Sequence, residues 1–170
     1  MRTVLFLALW IACCIPNTGH AQVKNQQNNS QLPVYQQFPT LPPFQLYLED
    51  GSVYNKQLLH NNKPTVLIIF SVECDHCKIL TEDITKKIEK FKNVNILMIT
   101  PFRVDRMKEY YNEYKIGSYP NITMVSEPTR QIMYFYGLRE FPGVYIYDKK
   151  RQLKHEVTAA LNVENILSSL

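Results

Sequence analysis

Cysteine is sparse in this sequence: four in 170 residues, at positions 13, 14, 74 and 77. Two close pairs cannot staple distant parts of a chain, so a multi-bridge disulfide scaffold is excluded. A second set of ligands for a four-coordinate zinc site is missing as well. The longest apolar run falls short of the roughly 20 residues that a membrane-spanning helix needs. There is no basic stripe either. The net charge is +4, and the basic residues are scattered, as in Lys86-Lys87 and Lys149-Lys150-Arg151. That pattern suits a solvated surface and argues against a nucleic-acid partner. No internal repeat is visible, and the length of 170 residues leaves room for one core.

The first feature present is N-terminal. Arg2 precedes an apolar run to Ala12, and Thr18-Gly19-His20-Ala21 comes after it. A basic start, a short apolar run and small residues before a cut make a secretory signal. Residues 1–21 are read as that signal, which makes Gln22 the mature N-terminus in a periplasmic or otherwise extracytoplasmic compartment. Two alternatives remain, a retained anchor and a lipid on Cys13, and only these would bring a membrane into play. Cleavage removes Cys13 and Cys14, so the mature chain keeps Cys74 and Cys77 alone. In an oxidising compartment a lone close pair reads as redox chemistry.

Residues 22–43 read as a flexible tether, expected to be extended or disordered. Gln26-Gln27-Asn28-Asn29-Ser30-Gln31 is polar, and Pro33, Pro39, Pro42 and Pro43 punctuate the rest of the segment. From residue 44 to 170 the texture is that of a folded domain. Phe44–Leu48 alternates, with a turn at Glu49-Asp50-Gly51-Ser52, and predicts an opening hairpin. Thr65–Phe70 is a continuous apolar run, as in a strand buried on both faces, and Val94–Ile99 predicts a second buried strand. Leu80, Ile84, Ile88 and Phe91 recur at helical spacing, and Met107, Tyr111 and Tyr114 mark one face of a further helix. Ile122–Val125 predicts a third strand, Val144–Val157 a hairpin, and Val163–Leu170 a last helix. Strands alternating with helices and closed by a hairpin predict an α/β fold, a mixed central sheet with helices on both faces. The tyrosines, 11 in all, are spaced as packing residues.

Cys74-x-x-Cys77 stands where a buried strand hands over to an amphipathic helix. Unpaired N–H groups and the positive end of the helix dipole stabilise a thiolate there. Cys74 is the expected nucleophile, and Cys77, one turn on, the thiol that closes a Cys74–Cys77 disulfide. Zinc fits poorly, since even with His76 the remaining ligands, His60 and His155, are far off in sequence. A purely structural disulfide would close almost no loop. His76, between the cysteines, could donate to a Cys74 thiolate, while Glu73 and Asp75 oppose it by charge.

The run Val66–Phe70 leading into Ser71-Val72-Glu73-Cys74-Asp75-His76-Cys77-Lys78 resembles the thioredoxin-like superfamily. Within it, Pro43-Phe44-x-Leu46 followed by Asp50-Gly51 is similar to the opening hairpin of the TlpA-type extracytoplasmic redoxins of Gram-negative bacteria. The resemblance runs from about Phe38 to the C-terminus. It implies a three-layer thioredoxin-like fold in which residues from Arg103 to about Val125 form an inserted helix–strand unit. It also implies a cis-proline facing the cysteines. Tyr119-Pro120 and Phe141-Pro142 are the candidates, and only Pro142 is followed by strand, turn, strand and helix. Phe141 and Pro142 are thereby the expected substrate-binding residues. The chain departs from relatives at Glu73, where Trp is common, and at Ile68 and Leu80, where relatives place acids that deprotonate the second cysteine.

The implied activity is thiol–disulfide exchange with protein thiols or disulfides, served by an upstream redox partner and needing no dissociable cofactor. Two other classes stay open. One is a peroxiredoxin-like peroxide reductase, because Ser71-x-x-Cys74 matches part of that family's Pro-x-x-x-[Thr/Ser]-x-x-Cys motif, with Leu67 in place of the proline. The other is a non-catalytic binding or metal-delivery module.

Overall fold

In the computed structural model, which describes residues 32–54, 59, 62–158 and 160–170, the two long apolar runs lie side by side at the middle of a sheet. The expected signal and the first part of the expected tether lie outside the described residues. In chain order the strands are β1 (Leu46–Tyr47), β2 (Val53–Tyr54), β3 (Thr65–Ile69), β4 (Asn95–Thr100), β5 (Ile122–Ser126), β6 (Gly143–Tyr147) and β7 (Leu153–Glu156). They line up as β2-β1-β5-β4-β3-β6-β7. The central β3, β4 and β5 are parallel, while β6 and β7 on one side and β1 and β2 on the other run antiparallel to their neighbours.

Side chains alternate across a strand, so each central strand feeds two cores. Val66, Ile68 and Phe70 face α2 (Asp75–Lys86), α3 (Val104–Glu113) and α5 (Val163–Ser168), meeting Ile84, Met107 and Ile166. Leu67 and Ile69 face α1 (Val34–Gln37) and α4 (Gln131–Tyr136), meeting Tyr35, Ile132 and Tyr136. Every residue of β3 is buried, which explains a run without polar alternation. The result is the expected three-layer α/β arrangement, with α3 and β5 inserted between β4 and the closing hairpin.

Three expectations change. Part of the expected tether is structured: the compact unit begins at Leu32 rather than Phe44. Tyr35 stacks on Tyr136 with ring centroids 5.5 Å apart and donates a hydrogen bond of 2.7 Å to Glu156. Pro39 accepts from the Leu153 N–H at 2.7 Å, and Leu41 is buried. A few apolar anchors suffice to hold a proline-rich segment on an otherwise bare sheet face, because proline has little chain entropy to lose. Second, the buried side of α3 is Met107 with Tyr110, whereas Tyr111 and Tyr114 are half-exposed. Both spacings fit a 3.6-residue period, and packing against Phe70, 5.0 Å from Tyr110 between ring centroids, selects one. Third, α4 has no counterpart among the expected elements. Its start is held by buried Glu127, which accepts from the N–H groups of Thr129 at 3.1 Å and Ile132 at 3.0 Å. Gly137, at φ 61°, ends it in the left-handed conformation that glycine adopts at least cost.

Candidate active site

β3 ends at Ile69, and its antiparallel neighbour β6 begins at Gly143, the two residues being paired in register. The chain that leaves β3 toward the cysteines therefore emerges beside the chain that enters β6 from Phe141-Pro142. Cys74 is the N-cap of α2, with extended backbone, and its sulfur accepts the Cys77 N–H at 3.4 Å. The Cys74 Sγ also lies 3.6 Å from the carbonyl oxygen of Phe141, 67 residues away in sequence, to which it donates. The Phe141–Pro142 peptide is cis. Pro120 lies elsewhere: it precedes β5 and lines a cleft with Lys63 and Lys92, at the end of the parallel strands opposite the cysteines.

The two thiols differ in setting. Cys74 is partly accessible, and Cys77 is 2% exposed. Burial pushes the Cys77 thiol far above the ordinary thiol range, and the neighbouring Cys74 adds to the rise. Ile68 and Leu80 are themselves buried in the same core, so neither position offers Cys77 a carboxylate. His76 is exposed on the first turn of α2. The hydrogen-bond partners of the Cys74 sulfur are the Cys77 N–H and the Phe141 carbonyl, not the expected imidazole.

The acids flanking Cys74 are paired. Asp75 accepts from Lys78 at 3.1 Å, and Glu73 pairs with Arg106 of α3 at 3.2 Å. The inserted helix thus supplies a cation to the residue before Cys74. It also supplies Tyr110, absent from the sequence-based expectations. The Tyr110 and Thr81 hydroxyls both donate to the Cys77 carbonyl, at 3.3 and 2.9 Å, and lie 2.8 Å from each other. Thr81 had a legible signal, since it stands one helical turn after Cys77, where a hydroxyl reaches back to the i−4 carbonyl. Tyr110 had none, because its partner is on another element. Among the described residues no three His, Cys, Asp or Glu side chains cluster as a metal site.

A dithiol at a helix start, facing the Phe141 carbonyl, can attack a disulfide with one sulfur and expel the product with the other. Among solved structures, a secreted disulfide oxidoreductase of Mycobacterium tuberculosis, described as homologous to E. coli DsbE, superposes with TM-score 0.60 at 18% identity, covering 74% of this chain and 92% of that one. An exposed lipoprotein thioredoxin of Streptococcus pneumoniae gives TM-score 0.57 at 20% identity, over 74% and 96%. The peroxidoxin BcpB of M. tuberculosis gives 0.64 at 12% identity, over 76% and 92%. At these identities the likeness establishes the thioredoxin-like fold. A search of curated proteins returned no match. Residues 38–156, including both cysteines, the inserted unit and the cis-proline, match the model of the AhpC/TSA family, and the chain belongs to that family.

Proposed function

We propose that this protein is a TlpA-type thiol–disulfide oxidoreductase acting on protein substrates outside the cytoplasm. The observation that carries the reading is the placement of the Cys74 sulfur between the Cys77 N–H and the Phe141 carbonyl. In the reducing direction the Cys74 thiolate attacks a substrate disulfide, forming a mixed disulfide and releasing one substrate thiolate. Cys77 then gives up its proton and attacks Cys74. The Cys74–Cys77 disulfide forms, and the second substrate thiolate leaves and takes up a proton. The substrate gains two electrons, which an upstream dithiol must restore; the oxidising direction is the reverse. The backbone at Phe141-Pro142 pairs with an extended substrate segment beside the sulfurs. With Cys77 buried and no carboxylate at Ile68 or Leu80, its deprotonation is the slow part of resolution.

Cys77→Ser tests this. The variant should hold substrate proteins as mixed disulfides that a reductant releases, and Cys74→Ser should hold none and lose exchange. Equal exchange rates for Cys74→Ser and the parent would overturn the assignment. Peroxide reduction is the second reading, favoured by the family match. Against it, Leu67 replaces the motif proline, and the Ser71 hydroxyl accepts the Glu73 N–H at 3.2 Å, with no bond to Cys74. Consumption of hydrogen peroxide faster than of a protein disulfide would select that reading instead.

A further inference from the structure

Cys77 sits on the first turn of α2, the part of a helix whose N–H groups have no partner within the helix itself. Its N–H is met by the Cys74 sulfur at 3.4 Å, so Cys74 caps the helix that carries Cys77. That cap is strongest for a Cys74 thiolate, whose charge assists the bond. On the thiol-exchange reading above, attack on a substrate removes this charge. In the mixed disulfide the Cys74 sulfur also has no proton left for the Phe141 carbonyl, to which the thiol donates. The first turn thus loses much of its tie to the reacting sulfur at the step in which Cys77 must act.

A second tie does not pass through that sulfur. The Thr81 hydroxyl, one turn on, donates to the Cys77 carbonyl at 2.9 Å, and the Tyr110 hydroxyl of α3 donates to it at 3.3 Å. The two hydroxyls lie 2.8 Å apart, and all three residues are buried. Burial pushes the Tyr110 phenol above its ordinary range, so it stays a neutral donor. Its ring packs on Phe70, whose N–H donates to the Ile99 carbonyl of β4 at 2.9 Å. The Cys77 main chain is thereby referenced to the central sheet as well as to Cys74. We propose that Tyr110, together with Thr81, is a positioning residue for resolution, holding Cys77 in reach of the Cys74 sulfur while the mixed disulfide stands. The inference rests on the thiol-exchange reading. In that step the Cys77 thiol gives its proton to water and its sulfur bonds to Cys74. The bond from Cys74 to the substrate breaks, and the substrate sulfur leaves as a thiolate, so the dithiol is oxidised and the substrate reduced. Displacement needs the sulfurs close and in line, and a misplacement of about 1 Å can cost about a hundredfold. The earlier attack by Cys74 makes no use of the Cys77 carbonyl.

Dithiobis(nitrobenzoate) separates the two steps, because each releases one coloured thiolate, the first on attack by Cys74 and the second on resolution by Cys77. The reduced full-length protein, in slight excess, is mixed with it in a stopped-flow instrument, and release by Cys74→Ser is subtracted to remove the contribution of other thiols. Tyr110→Phe keeps the ring on Phe70 and should slow the second release about tenfold while leaving the first unchanged. Thr81→Val should also slow the second release, and Thr81→Ser, which keeps the hydroxyl, should not. Tyr114→Phe removes the hydroxyl of the ring stacked on Tyr110 at 4.4 Å and should change neither step. Equal slowing of both releases in Tyr110→Phe, or a second release as fast as the parent's, would overturn the proposal. So would a Thr81→Ser protein as slow as Thr81→Val. A parent that releases nothing beyond the Cys74→Ser background would instead overturn the thiol-exchange reading, and this inference with it.

Discussion

The two sides of the sheet solve the same packing problem with different materials. The cysteine side is mostly aliphatic, with Ile68, Ile84, Ile96, Met98 and Ile166 around Cys77. Two of its buried hydroxyls, on Thr81 and Tyr110, are spent on the backbone carbonyl of Cys77. The opposite side adds a cluster of tyrosines to its aliphatic residues: Tyr136 packs on Tyr145 at 4.2 Å between ring centroids, and Tyr35 meets both. There the bonded hydroxyls pair with one another or with Glu156, and none of these groups approaches a sulfur. One layer fixes the position of a reacting group, and the other holds the sheet together. Damage to each should therefore register in a different measurement.

The largest expected effect is on the aromatic side. Tyr145 is fully buried, and Tyr145→Ala should lower stability by about 3–5 kcal/mol, as for other large-to-small core changes. Chemical denaturation measures that loss, while exchange per folded molecule should stay near the parent's. A large fall in exchange at full folding would break the division between the faces.

A pH titration of stability sharpens it. The folded Cys77 keeps its proton above the pH at which an unfolded thiol releases it, because burial raises its pKa. The folded state then binds more protons than the unfolded one, so stability of the reduced protein falls as pH rises through and above the thiol range, by about 1.4 kcal/mol per unit. On the aromatic side Tyr147, pushed up to about 12, adds its own loss only in the phenol range. Between the two ranges the slope reports the cysteine face, and Cys77→Ser should flatten it. An unchanged slope in that variant would mean that another group titrates there.

The smallest effect is expected at the surface. The Glu73–Arg106 pair is half exposed, and such pairs are worth about 0–1 kcal/mol. Arg106→Ala should leave stability within that margin and slow attack by Cys74 by less than about tenfold, most visibly at low salt, where Glu73 is unscreened. Stopped-flow reaction with a model disulfide at two ionic strengths would show it; a larger, salt-independent change would point to a steric role.

The central sheet could be read from sequence because β3 and β4 carry the apolar runs Val66–Phe70 and Ile96–Ile99, bounded by the polar residues Thr65, Ser71, Asn95 and Thr100. The dithiol was legible for a related reason, since strand, cysteine spacing and amphipathic helix succeed one another without a gap. What escaped depends on partners remote in sequence. The aromatic character of Tyr35 was visible, but its place on Tyr136 was not. α4 is short, rich in aromatics and preceded by Glu127-Pro128-Thr129, which reads as a turn; it exists because the buried Glu127 carboxylate satisfies its first N–H groups. His76 is a different case: its chemistry suggests a bond to a Cys74 thiolate, whereas the Cys74 sulfur here bonds the Cys77 N–H and the Phe141 carbonyl. The pairing of Glu73 with Arg106 was out of reach, because only the fold sets α3 beside the cysteine loop.

The registration of β3 on β6 acts as a gauge block for the chemistry. Sliding one strand past the other by a single residue would move the Phe141 carbonyl by about 3.3 Å, nearly the whole 3.6 Å that now separates it from the Cys74 sulfur. The same slip would turn every buried side chain of β6 to the wrong core. The tolerance on the reacting atoms is therefore set by the pairing of these two strands. A variant that shifts their register while remaining folded should lose this alignment without unfolding the chain.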